Sequence, residues 1–144
     1  RDRDKLPKIA NLFNRDGGPE PPVGISVPQA MYDDFVKISE PIQKIRPDYP
    51  FEVKVREPRK RPTRMGGTDA SVFAIEGVPT LGFTTEDFKG YDFDYGEIWH
   101  TERDLYTKNI PEYQEHTATV TAIIALGVAN LDKQLSREGL YTEE

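Results

Sequence analysis

The chain predicts an α/β layer fold, part of a mixed, mainly parallel sheet flanked by helices. Three observations point there. Short apolar runs alternate with segments of helical spacing, Val78 to Phe83 is a continuous apolar stretch bounded by Gly and Thr, and a long C-terminal segment keeps one apolar face.

Ile9 to Phe13 is apolar and runs into Asn14-Arg15-Asp16-Gly17-Gly18-Pro19, whose turn chemistry predicts a strand ending near Asp16. Pro19 to Pro22 form a stiff connector into Val23-Gly24-Ile25. Ser26 and Pro28 then signal the start of a helix over Gln29 to Lys44. Met31, Phe35, Ile38, Ile42 and Ile45 recur at helical spacing, with Pro41 predicted to kink or split the helix. Phe51-Glu52-Val53-Lys54-Val55 alternates apolar and polar residues, as an edge or near-edge strand does, and Pro58 closes it.

A basic loop from Arg56 to Arg64 follows, most simply solvated. Gly66-Gly67-Thr68-Asp69 leads into a short helix bearing Val72, Phe73 and Ile75, and Gly77 suits the position just past its end. Val78 to Phe83 reads as a fully buried strand. Thr84 to Trp99 scatters Phe88, Tyr91, Phe93 and Tyr95 among acids and glycines, so it predicts a long loop with an aromatic lining. The final helix is expected from about Pro111 to Ser136, ended by Gly139, with His116 facing solvent.

The 144 residues match one domain, and 25 acidic against 19 basic residues give a formal charge of -6. That balance argues against nucleic acid as a partner. There is no cysteine, so a metal would need His, Asp or Glu ligands. No apolar stretch is long enough to predict a membrane segment.

Only two histidines occur, and His100 stands in Trp99-His100-Thr101-Glu102-Arg103-Asp104, beyond the Gly77-Val78-Pro79 segment. Alone, Asp16 beside two glycines is an ordinary turn residue and His100 an ordinary loop residue. Taken in order, Asn14-Arg15-Asp16, Gly67-Thr68-Asp69-Ala70-Ser71-Val72-Phe73, Gly77-Val78-Pro79 and Trp99-His100-Thr101 resemble the C-terminal half of the co-catalytic zinc exopeptidases. That family includes bacterial leucyl aminopeptidase, plasma glutamate carboxypeptidase and glutaminyl cyclase, and the likeness covers about residues 8 to 135.

The resemblance implies two zinc ions bridged by a carboxylate, a peptide substrate, and hydrolysis of a terminal peptide bond by a metal-activated water. Asp16 matches the family's late aspartate ligand to one metal and His100 its final histidine ligand to the other. Asp69 matches an aspartate that orients ligands or lines the substrate pocket, with Thr68, Trp99 and Thr101 beside the site; Asp69 is equally suited to capping the helix that follows. A periplasmic or secreted location is a further implication of the family.

The family's remaining ligands and its glutamate general base precede the Asp16 position. The 15 residues before Asp16 contain neither histidine nor glutamate, and the one adjacent pair, Glu143-Glu144, lies at the opposite end. The expectation is therefore that residues 1–144 are the C-terminal portion of a single catalytic domain, inactive alone, whose N-terminal portion is a partner. No catalytic base is assigned within the chain, and its exposed sheet edges are expected to pair with another copy. Two alternatives share the fold: a catalytically idle peptidase-like binding or dimerisation module, and a glutaminyl cyclase-like acyltransferase.

Overall fold

A computed structural model describes residues 2–142; the Glu143-Glu144 pair lies outside the described residues. Three strands form a small mixed sheet in the order β2-β1-β3, with β1 Pro22–Val27, β2 Glu52–Val55 and β3 Phe83–Thr85. The central strand runs parallel to β2, with Ile25 opposite Val53, and antiparallel to β3, with Ile25 opposite Phe83. The sheet is thus mixed with one pairing of each kind, rather than mainly parallel. Gly24 is required where β1 and β2 approach, because a Cβ there would meet the Glu52 carbonyl oxygen.

The turn of 3-10 helix Gln29–Met31 leads into α1, Tyr32–Ile45. Met31, Phe35, Ile38 and Ile42 are buried at helical spacing. Pro41 does not split the helix: it lies on the exposed face, where solvent can reach the carbonyl its missing N–H leaves free. The helix stops at Arg46, whose backbone is pushed out of the helical region ahead of Pro47.

The expected strand at Ile9 to Phe13 and the expected strand at Val78 to Phe83 are both replaced by irregular chain, apart from Phe83 itself. They still pair, but through a side chain. Asn11 Nδ2 donates to the Leu81 carbonyl at 3.2 Å, its Oδ1 accepts from the Leu81 N–H at 2.8 Å, and Leu12 N–H donates to the Pro79 carbonyl. An asparagine that takes the place of a backbone partner, next to a proline with no N–H to give, prevents a regular ladder.

Helix α2, Ala70–Ile75, ends as expected at Gly77. Its φ is +76°, with Gly77 N–H bonded to the Ala74 carbonyl and Val78 N–H to the Phe73 carbonyl, the paired bonds of a glycine-terminated helix. Arg61 supports the same end through Nε and Nη2 on the Ile75 carbonyl, and Arg59 Nη2 donates to Thr80 Oγ1. Part of the basic run is therefore structural. The Thr84 to Trp99 segment is broken by β3 and by α3, Tyr95–Ile98, whose Asp94 cap accepts from Gly96 N–H at 2.8 Å.

Helix α4 spans Pro111–Ala129 and ends before the predicted Ser136. Leu135 and Leu140 reach the core from an irregular tail, which extends the apolar spacing without a helix; Gly139, at φ +70°, turns that tail instead. His116 does not face solvent. With Tyr113, Val120 and Ile124 it forms the buried stripe of α4 and is 0 % exposed. Polarity alone argues for solvent: His116 falls three residues after Tyr113 and four before Val120, on the face that Ile124 continues, while its neighbours Gln114 and Glu115 are exposed.

The core gathers Ile25 and Val27 of β1, Phe35, Ile38 and Ile42 of α1, Leu81, Val120 and Ile124 of α4, and the tail leucines. Arg137 ties this tail to the chain's beginning: Nη2 donates to the Leu6, Pro7 and Ile9 carbonyls and Nη1 to that of Gly77. Among the described residues no helix is long and apolar enough to cross a membrane.

Candidate functional site

Asp16 occupies the turn Asn14 to Pro19, which the preceding side chain braces. Arg15 Nη2 donates to the Gly18 carbonyl at 2.5 Å and the Glu20 carbonyl at 2.6 Å. Burial pulls the Arg15 pKa below its ordinary value, against the opposing influence of Glu20 and Asp16. Gly18 has φ +74°, and a Cβ there would press on the Phe93 ring at 3.1 Å, so the turn needs glycine for both shape and space. The Asp16 side chain stays exposed at the tip.

His100 follows α3 by two residues and is held at φ 56°, a left-handed conformation that costs energy for a residue with a Cβ. Thr101 organises the turn around it. Its Oγ1 donates to the Glu97 and Ile98 carbonyls at 2.9 and 3.0 Å, and Arg103 N–H donates to that oxygen. Trp99 stacks on the imidazole at 4.3 Å between ring centres and 21° between planes, leaving both rings exposed.

Asp16 and His100 line one cleft of about 1070 Å³. Trp99 and Tyr95 form an aromatic side of it, Asp104 and Lys108 add charge, and Thr117 with Ala118 brings in α4. Gly67 is the part of the Gly66 to Asp69 segment that reaches this cleft. Thr68, Asp69 and Thr101 are exposed but do not line it, and Asp69 occupies the cap position of α2 without a side-chain hydrogen bond to it. Asp69 thus takes the capping place but not the capping bond.

The reading from sequence missed Arg15, Lys108 and the α4 residues. Arg15 was visible only as part of a motif, and nothing in the spacing of Gln114, Thr117 and Ala118 marks them as lining a cavity rather than facing open solvent.

Catalytic zinc takes three protein ligands as a rule. Among the described residues no three His, Asp or Glu side chains stand together to hold a metal. Asp16 and His100 by themselves do not make up such a set; the cleft offers Trp99 and Tyr95 for stacking and Lys108, Asp16 and Asp104 for ion pairing. A comparison with protein families, with characterised proteins and with solved structures returns no match to this chain.

Proposed function

We propose that this chain forms one wall of the active cleft in a zinc exopeptidase domain, giving Asp16 and His100 to a ligand set completed by residues outside these 144. One observation carries the reading: two residues distant in sequence, singled out by their motifs, open onto the same cavity. The strained backbone of His100 supports it, because strain of this kind persists where the surrounding structure enforces a particular side-chain position. In this reading the chain binds and orients a short peptide, its side chain against Trp99 and Tyr95.

The test is metal content by mass spectrometry in a protein lengthened at its N-terminus by its own upstream coding sequence. Two zinc ions per chain and release of terminal residues are expected, with Asp16→Asn and His100→Gly each lowering the metal content. An upstream segment without histidine, aspartate and paired glutamates, or variants with undiminished metal, would refute the proposal.

A second reading, the catalytically idle binding module, rests on the exposed Trp99 and Tyr95 that form an aromatic side of the cleft. It is distinguished by peptide binding in the lengthened protein without zinc and without hydrolysis.

A further inference from the structure

Away from the cleft, His116 is fully buried on α4, and its Nδ1 has no hydrogen-bond partner among the described residues. Its Nε2 lies 3.1 Å from the Pro22 carbonyl oxygen at the start of β1. A carbonyl only accepts, so Nε2 carries the proton and Nδ1 keeps a bare lone pair. The imidazole also stacks on Tyr49, 4.0 Å between ring centres.

Tyr49 and α4 together hold the loop that precedes the cleft's aromatic wall. Phe88 packs against both Tyr49 and Tyr113, and Lys89 N–H donates to Tyr113 Oη at 3.0 Å. Tyr113 Oη donates to Asp87, which also receives the N–H groups of Tyr91 and Asp92. Glu112 takes Lys89 Nζ at 2.7 Å, Tyr49 Oη at 3.0 Å and the hydroxyl of Tyr91. Beyond this loop the chain enters Phe93, α3 and Trp99.

An imidazolium here would meet unfavourable surroundings on most sides. From α1, Arg46 lies 5.5 Å from the Tyr49 ring centre; from the loop, Lys89 lies 4.5 Å from it. The nearby acids already have cations: Asp48 and Glu112 face Lys89, and Glu115 faces Arg46 at 3.0 Å. From β1 comes the Pro22 carbonyl, which Nε2 already occupies. Burial lowers the His116 pKa, the Pro22 carbonyl and Asp48 resist, and Arg46 and Lys89 add to the lowering.

We propose that His116 is an acid-sensitive latch: neutral, it clamps α4 to Pro22 and Tyr49, and protonated at Nδ1 it releases the loop 86–92 and with it the Tyr95 to Trp99 wall of the cleft. The sign follows from linkage. A histidine with a depressed pKa in the fold leaves the unfolded or opened state binding more protons, so the clamp is complete above the ordinary imidazole value and weakens as pH falls below it. One linked proton changes the open population by at most about tenfold per pH unit.

Hydrogen exchange of the amides in residues 86–92, corrected for intrinsic pH dependence, tests the latch between about pH 7.5 and pH 5.5, on either side of the ordinary imidazole value. Exchange in this segment is expected to rise severalfold towards acid in the wild-type chain. His116→Gln is expected to abolish the rise, and His100→Gly to retain it, which separates the latch from the exposed imidazole on Trp99. Should His116→Gln fail to fold by circular dichroism, His116→Phe keeps the stack on Tyr49 and serves in its place. An unchanged acid response in the folded His116 variant overturns the proposal. So does a wild-type His116 imidazole that titrates by NMR at or above the ordinary value.

Discussion

Gly127 of α4 faces Ile38 of α1 where the two helices pack. An added Cβ would collide with Ile38 Cγ2 and lie 2.9 Å from Cγ1 and 3.1 Å from Cβ. Two effects oppose each other in Gly127→Ala. Alanine in a helix interior is favoured over glycine by about 1 kcal/mol. Overpacking a well-filled contact costs about 1 to 3 kcal/mol. Ile38 is only 8 % exposed and the collision involves both its branches, so rotation of one methyl gives no escape. The clash therefore outweighs the helix preference, and a net loss of up to about 2 kcal/mol is expected.

Urea unfolding measures it as a lower midpoint at unchanged slope. In an Ile38→Ala background, itself about 2 to 4 kcal/mol less stable, the same change loses most of its clash and becomes neutral or stabilising. If Gly127→Ala stabilises the otherwise unaltered chain, or if the two changes simply add, the helix contact is not the one described.

Three further outcomes are expected. Asn11→Ala leaves the N–H and C=O of buried Leu81 unpaired and costs about 2 to 4 kcal/mol by chemical unfolding, while Asn11→Asp keeps the N–H bond and sets a carboxylate against the carbonyl, recovering only part. Arg137→Ala removes the donor to four backbone carbonyls, and limited proteolysis should then cut near Leu6 to Ile9; Arg137→Lys does not rescue, since an ammonium cannot span them. Burial and the bond to Asp87 push the Tyr113 pKa up to about 12, so its phenol should titrate late in an ultraviolet pH scan. Its contribution to stability is whole below the ordinary tyrosine value near 10 and is lost as pH rises through about 12.

The parts of the fold readable from sequence are those with a period. α1 was visible in Met31, Phe35, Ile38 and Ile42, β2 in the alternation from Phe51 to Val55, and the end of α2 in Gly77. β1 is not legible: Pro19 to Pro22 read as a connector, Val23-Gly24-Ile25 has no period and Ser26 reads as a helix start, until a neighbouring backbone is seen to need the glycine. The strands expected at Ile9 and Val78 failed for a related reason: a local apolar run does not reveal that its partner is the Asn11 amide. Asp16 and His100 are singled out only by motifs; spacing alone leaves the first an ordinary turn residue and the second an ordinary loop residue. His116 went astray because a polar side chain argues for solvent, although its spacing from Tyr113, Val120 and Ile124 places it on the inward face.

The bonds from Arg137 and from Gln134 to the Pro7 and Ile9 carbonyls bring the beginning and the close of the described chain side by side. A circular permutant that joins these regions through a brief flexible bridge, and opens instead in an exposed loop such as Arg64-Met65, should retain the sheet. Such a rearranged molecule would present the Trp99 surface on a scaffold whose ends had been moved to the opposite part of the sequence.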